Sequence, residues 1–159
     1  MPSGRIHSAS SMVVAISGAT TMLLLNRGIE GIAGVGTGAL IGILLSPDAD
    51  VNGGSIADYY IRRYSGVAVE VAWDSIWTVY RKVCKHRGFI SHFPVISTVL
   101  RIAYLSVFYF LITTPLKWIT SLVHIDWLTF LWWCFIGLVL ADSAHYGLDK
   151  LDEMLGGIL

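Results

Sequence analysis

Residues 127–149 read WLTFLWWCFIGLVLADSAHYGLD. From Trp127 to Ala141 the stretch carries no charge, and Asp142, His145 and Asp149 then follow within two turns. Crossing a hydrocarbon core takes about 20 helical residues (range roughly 17–25). The run therefore predicts a span over 127–148 that emerges from the bilayer near its end. On a helix, positions i, i+3 and i+7 lie at about 0°, 300° and 340°, a single narrow face. The three polar side chains are expected to converge on one point, Asp142 deepest and Asp149 nearest water.

Three other stretches match that pattern. Residues 8–26 are uncharged; residues 31–46 are uncharged, short and glycine-rich; residues 94–116 carry one charge, Arg101. Arg5 ahead of an apolar run has the outline of a signal peptide, but no small-x-small cleavage site follows, so a retained span is expected. Composition agrees. Of 159 residues, 55% are hydrophobic and only 14% charged, against about 25% charged in an ordinary globular domain; mean hydropathy is +0.66. The expected fold class is an all-α polytopic membrane protein: one membrane domain over 1–159, four transmembrane helices, and interfacial helices between the second and third.

Net charge is zero, so no global basic field recruits nucleic acid, and no nucleic-acid partner is expected. Cys84 and Cys134 make neither a disulfide framework nor a CxxC metal knuckle. In the second span Gly34-xxx-Gly38-xxx-Gly42 sets a small-residue stripe for close helix packing. A glycine-rich nucleotide loop is the rival reading, but no lysine and no strand pattern accompany it.

With four spans, both termini and segment 47–93 share one side. That side holds Arg5, Arg62, Arg63, Arg81, Lys82, Lys85, Arg87 and Lys150, whereas the two connecting turns hold Arg27 and Lys117. The positive-inside rule makes the loaded side cytoplasmic. Trp118, Trp127, Trp132 and Trp133 fall near the opposite interface. Within 56–85, Ile56, Tyr59, Tyr60 and Tyr64 recur at helical spacing beside Arg62 and Arg63, and Val69, Trp73, Trp77 and Tyr80 repeat it. Aromatic faces with basic flanks suit interfacial helices on anionic lipid; the alternative is that these rings pack on the tops of the spans.

Metal-type ligands gather at the same face. His7 precedes the first span, Asp48 and Asp50 follow the second, His86 and His92 enter the third, and Asp142, His145 and Asp149 end the fourth. His124 lies in the far turn and is left aside. An ionisable residue inside a span costs about 2.5–3.5 kcal/mol on insertion scales, so Asp142 needs a partner. It could pair with His145 or with Arg101. Mixed imidazole and carboxylate ligands suit Zn²⁺, Mn²⁺ or Fe²⁺, and a set this large could hold two ions. The expected cofactor is one or two divalent ions, zinc foremost. Arg87 and Arg101 could bind a phosphate oxygen or orient the carboxylates.

At these residues the chain resembles the uncharacterised metal-binding membrane protein family common in cyanobacteria, related to bacterial inner-membrane metal-dependent hydrolases. The resemblance rests on Met1 to Arg5 with His7, Ser46 to Asp50, Trp77 to Tyr80, His86-Arg87 with Ser91 to Pro94, Leu100-Arg101 with Tyr104, and Asp142, His145 and Asp149. The chain departs from the family pattern between Asp50 and Trp73 and at Ala49. The resemblance implies a helical protein of a bacterial inner or thylakoid-type membrane, with its metal site at the cytoplasmic interface. It also implies a hydrolase similar in its His/Asp pattern to zinc phospholipase C. On that reading the substrate is a phosphoester in a lipid or lipid-linked molecule, Asp50 or Asp149 is the general base, and Arg87 stabilises phosphoryl charge. The alternative is a non-catalytic protein whose metal staples the helix ends. An ion pathway is weaker, because the spans turn apolar below Asp142 and Arg101. Expected partners are membrane lipids, with a homo-oligomer or a larger membrane assembly as a further expectation.

Overall fold

A computed structural model describes residues 4–51, 55–84, 89–112 and 126–157, with the backbone alone for Asp50, Phe89, Ile90 and 109–112. Among the described residues the fold is all-helical. Its helices are α1 (Gly4–Leu24), α2 (Gly28–Leu44), a 3-10 turn (Pro47–Asp50), α3 (Ile56–Ser65), α4 (Val67–Val83), α5 (Phe89–His92), α6 (Pro94–Ile112) and α7 (Trp127–Met154).

Among the described residues three helical stretches, against the expected four, are long and apolar enough to cross a membrane: Gly4–Leu24, Gly28–Ala49 and Trp127–Met154. The stretch expected over 94–116 is helical over Pro94–Ile112, but its described apolar part is Pro94–Phe108. Residues 113–125, with Lys117, Trp118 and His124, lie outside the described residues.

Helices α1 and α2 form a hairpin closed by capping chemistry. Asn26 takes a left-handed φ of 53°, and the amides of Asn26 and Arg27 return to the carbonyls of Leu23 and Met22 at 3.0 Å each. This is a Schellman end, with asparagine in place of the usual glycine. At the start of α7 the Asp126 side chain accepts from the amides of Leu128 and Thr129. A further hydrogen bond from the Thr129 hydroxyl leads in holding that carboxyl below its ordinary range.

Helix α2 sits between α1 and α7, and the glycine stripe explains how. A Cβ on Gly34 would lie 2.6 Å from Trp133 Cβ, and one on Gly42 would lie 2.9 Å from Ala141 Cβ. At Gly38 a Cβ would collide with the Cys134 carbonyl, and at Gly137 with the Val35 carbonyl. Backbone therefore meets backbone across this crossing, as small-residue packing requires. The stripe is a packing surface, as read from its spacing.

The segment between the hairpin and α6 differs from the interfacial reading in one respect. Trp77 and Tyr80 do not face outward. They are buried with Ala49 and Cys84, and Trp73, Leu45, Leu100 and Tyr104 pack around them. The Tyr104 hydroxyl donates to the Ile76 carbonyl. The aromatic stripe of α4 is thus the seam that seats it on α6 and the 3-10 turn. The face turned outward holds Val71, Val79 and Val83 instead, the last 80% exposed. Charges on this layer pair laterally, Arg62 with Glu70 at 3.5 Å and Arg81 with Asp74 at 2.5 Å. On α3, Tyr59 and Tyr64 remain exposed, as expected of an interfacial face.

Candidate metal centre

Four elements bring polar side chains to one end of the bundle. His7 stands early in α1 and is buried. Asp48 sits in the 3-10 turn, whose shape is set by Pro47 and by the Ser46 hydroxyl, which accepts from the Asp48 amide at 3.0 Å. Arg81 of α4 braces that turn from outside by donating to the Ala49 carbonyl at 3.1 Å. His92 ends α5 with its Nδ1 3.0 Å from the Ser91 hydroxyl. His145 and Asp149 lie one turn apart on α7.

These five side chains meet. His7 Nε2 is 3.3 Å from Asp149 Oδ1, and His145 Nε2 is 3.4 Å from Asp149 Oδ2. His145 Nε2 is also 3.6 Å from Asp48 Oδ1, which stands 4.0 Å from His92 Nε2. The rings of His7 and His145 stack with centroids 3.7 Å apart. Two overlapping triads result, His7–His145–Asp149 and Asp48–His92–His145, each with donor atoms within 4.8 Å of one another. His145 is shared by both.

The donor set fits a divalent ion on three counts. First, two ligand atoms about 2.0–2.2 Å from a tetrahedral ion stand about 3.3–3.6 Å apart, the spacing around His145 and Asp149. The 4.0 Å gap at His92 is wider and suits a second ion or a higher coordination number. Second, His145 Nε2 and Asp149 Oδ1 are buried yet make no hydrogen bond among the described residues. Native buried polar atoms are rarely left so; Asp149 Oδ1 faces His7 Nε2, and His145 Nε2 faces Asp149 Oδ2 and Asp48 Oδ1. Third, the set joins two carboxylates, Asp48 and Asp149, to three imidazoles, the mixed oxygen and nitrogen donors that suit Zn²⁺, Mn²⁺ or Fe²⁺. A contact between Nδ1 of His92 and the Ser91 hydroxyl is the outer-shell support that ligating imidazoles commonly have.

Not every expected residue joins. Asp142 is buried one turn deeper, where its Oδ2 accepts from Arg101 and from the Thr98 hydroxyl. Of the two partners the sequence offered for it, the structure selects Arg101. His86 and Arg87 lie outside the described residues, and Asp50 is described by its backbone alone. The sequence reading missed what surrounds the cluster. Beside it opens a cavity of about 420 Å³, lined by His92 and Asp149 together with Tyr146, Lys150, Asp152 and Glu153. The signal was present: positions 146, 149, 150 and 153 continue one helical face past Asp149.

A scan of protein-family models matches residues 2–156 to the family described as "Uncharacterized metal-binding protein (DUF2227)", and the chain belongs to that family. No curated protein and no solved structure matches the chain.

Proposed function

From that membership, we propose that His7, Asp48, His92, His145 and Asp149 hold one or two divalent ions, zinc foremost, in a protein embedded in a bacterial inner or thylakoid-type membrane. The positive-inside asymmetry supports a cytoplasmic site, and the outward valines of α4 with the exposed tyrosines of α3 support two helices lying at headgroup level. In this reading α6 completes the membrane part as a fourth helix.

Chemically, we infer a metal-dependent hydrolase of phosphoester bonds in a lipid or lipid-linked substrate, kin to bacterial inner-membrane hydrolases. The observation that carries it is the cavity: a closed structural site has no use for one, whereas a catalytic site keeps a position for water and substrate, and here about 420 Å³ opens on His92 and Asp149. An ion held there would lower the pKa of water and polarise a phosphoryl oxygen. The chain's own groups do the rest. Asp149 turns both oxygens on imidazoles, so its work is to hold the ion, and the general-base role falls to Asp50. Arg87 offsets charge on the phosphoryl group.

One observation favours the staple reading: the donors come from four elements that an ion would tie together. Metal analysis of purified protein, followed by a phospholipid headgroup-release assay, separates the two. Metal that is bound and supports headgroup release is the expected result. A tightly bound ion with no release favours the staple. Protein that takes up no ion on titration overturns both.

A further inference from the structure

Below the candidate ligands lies a second polar layer that the proposed chemistry does not use. Arg101 is wholly buried, as are Ser97, Thr98 and Asp142 around it. Its guanidinium points three ways. Nε donates to the Ser97 carbonyl of α6 at 3.3 Å, Nη1 to the Leu45 carbonyl at the end of α2, and Nη2 to Asp142 Oδ2 of α7. The Thr98 hydroxyl contacts the same carboxylate oxygen.

Each end of this fork sits at a fixed short distance along the chain from a candidate ligand. Leu45 precedes Asp48 by three residues across the rigid Ser46–Pro47 turn. Asp142 precedes His145 by three on a continuous helix. Ser97, whose carbonyl accepts from Arg101, donates its hydroxyl to the Ser91 carbonyl at 2.6 Å, next to His92. One side chain therefore holds the three segments that carry Asp48, His92 and the His145–Asp149 pair. A lysine could not do this: its point charge lacks the planar fork that reaches a carbonyl and a carboxylate together.

Resting on the metal-centre reading above, we propose that Arg101 is the positioning residue of the site, a clamp whose pairing with Asp142 and the Leu45 carbonyl sets the spacing of the ligands before the ion arrives. It touches no ion itself. Outer-shell partners of this kind typically change metal affinity by about 10–100-fold when removed.

The test uses the full chain, purified in detergent, with Zn²⁺ affinity measured by chelator competition and ligand geometry by the visible spectrum of bound Co²⁺. Arg101→Met alone leaves Asp142 buried without its charge partner. The double variant Arg101→Met/Asp142→Leu removes both charges at similar volume, an exchange that buried ion pairs often tolerate. Arg101→Lys keeps the charge and carries the test should the apolar pair not fold. Both variants are expected to melt as folded proteins without metal, to bind Zn²⁺ about 10–100-fold more weakly, and to give an altered Co²⁺ spectrum. Wild-type Zn²⁺ affinity and an unchanged Co²⁺ spectrum in the folded variants overturn the clamp while leaving the metal centre standing, even if the melting temperature falls. Wild-type protein that binds neither ion overturns the metal centre and the clamp with it.

Discussion

At the scale of single residues, His145 is the pivot. It belongs to both ligand triads, whereas His7 and His92 each belong to one. His145→Ala is expected to bring metal content to background, while His7→Ala leaves Asp48, His92 and His145 in place and keeps weakened binding. Elemental analysis of the purified variants checks this; equal loss in both would remove His145 from its shared position. Asp142 shows what residue spacing conveys and what it omits. Helical periodicity placed Asp142, His145 and Asp149 on one face, and that is correct as an azimuth. Their difference in depth, read from the same spacing, is what keeps all three from one point. Seven residues advance about 10.5 Å along the axis, too far for both ends to reach one ion, whereas the four from His145 to Asp149 advance about 6 Å. The deeper carboxylate found a guanidinium instead.

At the scale of elements, the crossing of α2 and α7 was readable because glycines at spacing four have few other uses in an apolar helix. Gly38→Val is expected to part the two helices, since its branched side chain would press on the Cys134 backbone. Overpacking of this kind costs about 1–3 kcal/mol or more, and thermal unfolding followed by tryptophan fluorescence would register it. Gly147→Ala is the counterpart: a Cβ there meets nothing within 4 Å, so the helix should gain roughly 0.5–1 kcal/mol. For helix α4 the sequence left two readings open, and the structure selects the one in which the rings pack on the spans. An aromatic stripe announces that one face is special but not whether it turns to lipid or to protein. In a membrane both faces are apolar, so the usual contrast between wet and dry sides is lost. Trp77, with no exposure, packs inward, and Trp77→Ala is expected to cost about 3–5 kcal/mol. A cysteine placed at Val79 should react slowly with a water-soluble maleimide in membranes, and one at Lys82 faster; equal rates would place the α4 face in water.

At the scale of the molecule, an ion would join α1, the 3-10 turn, α5 and α7. Ligand binding to the native state alone stabilises by about 4 kcal/mol at a free ion concentration a thousand times Kd. Stripping the ion with a chelator is therefore expected to lower the melting temperature by on the order of 10 °C, and adding Zn²⁺ back to restore it. An unchanged melt would remove the staple reading. The gathering of His and Asp at the ends of apolar runs was legible in the sequence, and five of those side chains stand together among the described residues. Residues 113–125, which the sequence assigns to the end of the fourth span and the turn after it, lie outside the described residues.

The stacked rings of His7 and His145 also set a clock. A ribosome adding about 5–20 residues per second finishes His145 roughly seven seconds to half a minute after His7. Throughout that interval neither ligand triad exists, because both require His145. An ion held by either triad would thus report that α7 has been synthesised, and a nascent chain stalled before α7 has no triad with which to capture one.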